Sequence, residues 1–379
     1  MKLLSFLLFL LVWGSSFGQR FQQFKPTSVA IRSKGGFLIA HRANMAHLPK
    51  NNTYAFEVEL VQQDVSDNKW ADIYKKPLRG ISFQYQEFGN KDVLGQGYSV
   101  FAHTSFPLFQ GPKFGFLDLR MGTGIGWVTK MYDTELNPKN SAIGSHLNGY
   151  VNFTLQWQKY FRYWNFGTGI EFGHYSNCAM KVPNLGLNVP SLMFNIGYNF
   201  EERQVYEKDL GEVEDENSIE QQQYRYRMSD QFRIFIIGSA KQNEARFNPP
   251  KSRPVIAIQG LYSLNVGRRW KVDFALDGIF NGGNQYHLDS SAYSVGETIQ
   301  FGVFVGASIH FYKAEFHTGI GAYFRSPVHP FGFVYNRLGF RYHFTDKFSG
   351  ILGIKSHLAI ADYLEIGIGY KLWSKEKRQ

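Results

Sequence analysis

The chain has 379 residues, of which 44% are hydrophobic, 17% aromatic and 19% charged, with 38 glycines, a formal net charge of +10 and a slightly negative mean hydropathy. A helical membrane protein is excluded because no window beyond the N-terminal stretch reaches the ~20 apolar residues of a spanning helix, and a disulfide scaffold is excluded because Cys178 is the only cysteine. The basic residues are dispersed and accompany no nucleic-acid motif, so the charge predicts anionic lipid headgroups or phosphates as contacts and no nucleic-acid partner.

In chain order, Met1-Lys2, the apolar run Leu3 to Val12 and the small-residue site Ser16-Phe17-Gly18 predict a signal peptide over residues 1–18 that is removed on export. Many glycines and aromatics at low mean hydropathy are what alternating strands with one apolar face produce. The expected fold is therefore all-β: an antiparallel transmembrane β-barrel of the outer-membrane type, with a soluble β-sandwich as the competing architecture. Residues 19–200 form the first set of strands. His41 and His47 fall in an external loop, and residues 63–79 make a long connection that fits the strand pattern poorly. Gly122-Thr123-Gly124-Ile125-Gly126 superficially suggests a phosphate loop, but it lies in an alternating strand without the required helix and reads as lumen-facing glycine packing.

From Tyr163 to Ser176 the even positions are Trp164, Phe166, Thr168, Ile170, Phe172, His174 and Ser176, and the odd ones are polar or small. This period of two indicates a strand with one oily face. The pattern recurs over Pro190–Phe200, Trp270–Phe280, Phe301–Phe311 and Leu364–Leu372. About sixteen such stretches occur, with boundaries good to a few residues; roughly eight precede residue 201 and eight follow residue 231. Many run near the ~10 residues that cross the hydrocarbon when tilted, giving an expected barrel of about 12–16 strands. The polar, at first acidic segment 201–231 is an insertion or a linker before the further strands of 232–379. As a linker it would join two smaller barrels in tandem, the alternative to one large barrel.

Short connections at Phe161-Arg162, Gly267-Arg268, Tyr312-Lys313 and Thr345-Asp346-Lys347 alternate with long ones at 128–144, 177–189 and 281–295. Outer-membrane barrels have short periplasmic turns and longer external loops, so this alternation places His174 and Ser176 at the outer-leaflet end. His310, His317 and His343 lie within strands at spacings that make no recognisable metal set, and no cofactor is expected.

On a strand, residues i and i+2 project from one face, so the imidazole of His174 can reach the hydroxyl of Ser176 and serve as its base. A third group must orient the ring, and donors must meet the developing oxyanion. The following loop offers them: Asn177 or Asn184 as amide donors, Gly186 for close backbone approach and Asn188 to hold His174. Lys181 can meet a lipid phosphate, or is simply solvated. Glu171, the only carboxylate between Phe161 and Phe200, has lumen parity and is a poor triad acid.

His174-Tyr175-Ser176-Asn177 followed by Lys181-Val182-Pro183-Asn184-Leu185-Gly186 resembles the PagL-type lipid A 3-O-deacylases, or acyloxyacyl hydrolases, most specifically over 170–188. The resemblance implies an outer-membrane barrel with a serine esterase site on its exterior. It implies lipid A or lipopolysaccharide as substrate, His174 as base, Ser176 as nucleophile, and Asn177 and Asn184 near the oxyanion hole. It departs at Asn188, where the best-known members carry a glutamate. Asparagine in that third role resembles outer-membrane phospholipase A, which keeps glycerophospholipid hydrolysis open; a catalytically silent structural barrel or porin is the non-enzymatic alternative. Homodimerisation is left open by the sequence.

Overall fold

The computed structural model describes residues 26–63, 69–111, 113–203, 229–242, 251–286, 293–311, 313–358 and 360–375. The expected signal peptide at 1–18 lies outside the described residues, as does most of the 201–231 segment. The first eight strands are β1 (Ser28–Gly36), β2 (Thr53–Gln63), β3 (Leu78–Glu87), β4 (Gln96–Gly111), β5 (Gly115–Val128), β6 (Leu147–Tyr160), β7 (Trp164–Ser176) and β8 (Leu187–Asn199). Each pairs antiparallel with the next, and β1 pairs with β8, Ser28 opposite Asn199 and Gly36 opposite Ser191, which closes the sheet.

A second closed barrel follows, built from β9 (Asp230–Gln242), β10 (Ser252–Asn265), β11 (Trp270–Asn281), β12 (Ile299–Phe311), β13 (Ala314–Arg325), β14 (Val334–His343), β15 (Phe348–His357) and β16 (Ile360–Lys375), with β16 returning to β9. The expected all-β barrel architecture holds, and of its two arrangements the tandem of smaller barrels is the one formed. One large barrel would need an open edge on β8 for β9 to join. That edge is already hydrogen-bonded to β1.

Alternation sorts the side chains of each strand between two environments. In β1 the buried set includes Arg32 and Lys34, while Ile31 faces outward at 54% exposure. Phe56, Val58, Phe83, Val100, Ile170, Leu192 and Phe194 continue this apolar belt around the first barrel, and Ile236, Ile256, Leu276, Val305, Ile320 and Ile368 around the second. An exposed apolar belt this extensive is the lipid-facing surface of a membrane barrel. No helix among the described residues is long and apolar enough to cross a membrane.

The interiors are filled. In the first barrel Arg32, Lys34 and Arg120 interlock with Glu57, Glu59 and Glu171: Arg32 to Glu59 at 2.8 Å, Lys34 to Glu57 at 2.6 Å and to Glu171 at 2.5 Å, and Arg120 to Glu57. Three cations face three carboxylates, as buried charges require. Towards the end bearing the long connections a buried apolar cluster that includes Phe88, Phe101, Tyr150, Tyr175 and Leu187 takes over. The glycines of the 122–126 run make room for it, since a Cβ on Gly122 or Gly124 would meet Phe101 and one on Gly126 would meet Tyr175. The second barrel repeats the scheme with Arg337 between Asp277 and Glu365, and Arg341 between Asp273 and Glu315.

Within the poorly fitting 63–79 connection lies one short helix, α1 (Lys69–Ile73). Beside it, the Tyr74 ring packs at a tilt against Phe106 and Phe311 and its hydroxyl donates to the His310 carbonyl at 2.7 Å, tying this connection of the first barrel to the end of β12 in the second.

Candidate active site

The site is assembled where β7 and β8 meet, at the end of the first barrel that bears the long connections. In the β7–β8 register His174 is the direct partner of Asn188, and directly opposed side chains on one face of a sheet touch. His174 Nδ1 lies 2.6 Å from Asn188 Oδ1. With the amide oxygen as acceptor, Nδ1 carries the ring proton and Nε2 is left as a base. Both residues are half-buried and share outward parity with Ile170 and Leu192, which are 59% and 60% exposed and also paired across the two strands.

Two residues on, Ser176 sits under the 177–186 loop at 6% exposure. Its Oγ accepts from the Cys178 backbone N–H at 3.2 Å and from Asn184 Nδ2 at 3.1 Å, and lies 3.2 Å from Asn184 Oδ1. The Asn177 backbone N–H donates to that same Oδ1 at 2.9 Å, which holds the Asn184 amide beside the serine. Among the described residues the hydroxyl makes no hydrogen bond to His174. The resting serine is held by the loop.

The loop is shaped by three left-handed residues, Cys178 (φ 54°), Ala179 (φ 61°) and Gly186 (φ 79°). Gly186 lies against the imidazole, so that a Cβ there would stand 2.6 Å from His174 Cε1. Its N–H is bonded to the Ala142 carbonyl at 3.1 Å, so the part this glycine plays is space beside the ring, not an oxyanion donor. The side chain of Asn177 is also turned away: its Nδ2 donates to Ser145 Oγ at 2.9 Å, and its Oδ1 accepts from the Lys181 N–H at 3.2 Å. Lys181 is exposed near the loop tip. Burial pushes the Cys178 thiol up to about 12, so it stays a neutral neighbour of Ser176.

Two contacts were invisible in the sequence. Chain beyond β1 continues along β8, with the Ile39 N–H on the Asn188 carbonyl at 2.9 Å. This carries His41 to the far side of the Asn188 amide, Nδ2 to His41 Nδ1 at 3.1 Å. From the second barrel, the Gln242 N–H donates to the Ala179 carbonyl at 3.2 Å and its Oε1 accepts from the Val182 N–H at 2.9 Å. Neither residue carries a local pattern that announces such a contact.

The histidines expected to make no metal set are partly brought together: His310 and His343 meet Glu315 inside the second barrel, while His317 stays apart. Lys271 at 2.6 Å and Arg341 at 3.1 Å already neutralise that carboxylate, and a dication added there would face both. The cluster is an ion-pair node.

Residues 56–199 match the family described as lipid A 3-O-deacylase (PagL), and residues 230–375, which are β9 through β16, match the acyloxyacyl hydrolase C-terminal domain. No curated protein sequence matches the chain. Among solved structures, the crystal structure of the outer membrane enzyme PagL aligns at 17% identity over 44% of this chain and 97% of its own, with a TM-score of 0.30. The N-terminal β-barrel domain of Pseudomonas aeruginosa OprF aligns at 15% identity over 46% and 98%, with a TM-score of 0.26. With one family description matching most of the first barrel and the other the whole of the second, the chain belongs to the lipid A 3-O-deacylase (PagL) family.

Proposed function

We propose that this protein is an outer-membrane serine esterase that removes an ester-linked acyl chain from lipid A, with Ser176 as nucleophile, His174 as base and Asn188 as the group that orients the imidazole. The observation that carries this reading is the 2.6 Å bond from His174 to Asn188 on the outward face, two residues from a serine facing an oriented amide. When Ser176 Oγ attacks the ester carbonyl, its proton passes to His174 Nε2, and the oxyanion meets Asn184 Nδ2 and the Cys178 backbone N–H. The imidazolium, held by Asn188 Oδ1, returns the proton to the departing lipid A hydroxyl. Water then cleaves the acyl-serine by the same proton route and releases a fatty acid.

The geometry suits a substrate that never leaves the membrane. An acyl chain lying along Ile170 and Leu192 stays in an apolar layer, whereas extracting it into water would cost about 0.8 kcal/mol per CH₂. Exposed Lys181 and the net positive charge favour the phosphorylated headgroup. Since Ser176 is nearly covered, the 177–186 loop yields as the ester enters.

Mass spectra of lipid A from outer membranes with and without the protein test the reading. The expected result is loss of one hydroxyacyl chain with the wild type and none with Ser176→Ala, which still forms a heat-modifiable barrel. Unchanged lipid A with the wild type, or equal loss with Ser176→Ala, overturns it. Asn188 in the third role favours a second reading, a phospholipase A; lysophospholipid in the same membranes beside intact lipid A would select that one.

A further inference from the structure

We propose that His41 is a positioning residue that locks the Asn188 amide in the one orientation that leaves His174 able to act as a base. This inference rests on the esterase reading above. A carboxylate presents two equivalent oxygens and supports an imidazole either way round. An amide does not. With Oδ1 towards His174, the ring proton sits on Nδ1 and Nε2 is left free to take a proton from Ser176. With the amide flipped, its NH₂ faces Nδ1, the proton moves to Nε2, and the serine has no base.

Asn188 Oδ1 lies 2.6 Å from His174 Nδ1, and Asn188 Nδ2 lies 3.1 Å from His41 Nδ1. A neutral His41 protonated on Nε2 offers a lone pair at Nδ1, which accepts the amide N–H and opposes the flip. The backbone supports this placement, since the Ile39 N–H on the Asn188 carbonyl registers the 37–41 segment against β8. The working unit is then Ser176, His174, Asn188 and His41, drawn from β7, the 177–186 loop's far strand β8 and the extension of β1.

The test follows release of fatty acid from purified lipopolysaccharide by the full-length protein in detergent micelles. Wild type and Ser176→Ala are run in parallel, so that failure of the esterase reading itself is seen separately. His41→Leu, which keeps bulk but accepts nothing, is expected to lower kcat by about 10- to 100-fold, the usual cost of losing a group that orients a functional side chain, with KM little changed. His41→Asn, whose Oδ1 falls near the imidazole Nδ1, restores most of the rate. In an Asn188→Asp background the two oxygens are equivalent, so His41→Leu costs no further rate. Wild-type kcat in His41→Leu overturns the proposal, as does an equal loss in His41→Leu and His41→Asn, or an equal loss in both backgrounds. Should Asn188→Asp itself be inactive, the comparison of His41→Asn with His41→Leu decides alone.

Discussion

Glu171 and His174 stand three residues apart on β7 and belong to different worlds. The carboxylate is inside the barrel, 2.5 Å from Lys34 and 2.9 Å from Thr154 Oγ1, while the imidazole faces outward. Glu171→Gln therefore removes one anion from a balanced buried network and leaves the cations around it under-compensated. The expected cost is about 3–5 kcal/mol of barrel stability, measurable as a lower heat-modification temperature, with acyl release per folded molecule retained. Loss of release from a fully folded Glu171→Gln would make Glu171 the missing triad acid and contradict the account. Parity along β7 was enough to place Glu171 and His174 on their faces from sequence. The partner of Glu171 was not legible, because Lys34 lies 137 residues away and is brought near only when β1 and β8 close the sheet.

At the scale of elements, the strands and the 177–186 loop follow different rules. Period-two alternation located β7, β8, β11, β12 and β16 to within a few residues, since a membrane barrel strand shows one face to lipid and the other to a filled interior. The 177–186 loop has no such period, and its order comes from another loop: Leu185 and Gly186 both donate to the Ala142 carbonyl, and Ile143 bridges Asn184. That pairing joins segments about 40 residues apart in the chain and left no trace in local sequence. It also explains why the glycine expected near the oxyanion instead makes room for the ring. Gly186→Ala combines a left-handed φ, worth about 1–2 kcal/mol for a residue with a Cβ, with a methyl 2.6 Å from His174 Cε1. The imidazole must shift, and an ångström of displacement costs about 100-fold in rate. A kcat for Gly186→Ala within a few-fold of wild type would show that the ring does not need this position.

For the whole molecule, two closed barrels of eight strands each bury a charge-paired interior and expose an apolar belt, and the proposed chemistry lies on the outer surface. The sixteen strands lie at the top of the range of about 12–16 expected from alternation, which marks candidate strands one by one without fixing their number. How the strands divide was not readable, because closure depends on whether β8 finds β1, a long-range pairing that local patterns do not encode. Filled interiors also weigh against a porin, which needs a water-filled lumen. If Ser176 is a nucleophile on the lipid-facing side, a long-chain sulfonyl fluoride partitioned into the membrane should reach it. Mass mapping of the labelled full-length protein is the most direct measurement: the account predicts modification at Ser176 that disappears in His174→Ala, and modification at another residue, or at Ser176 regardless of His174, would contradict it.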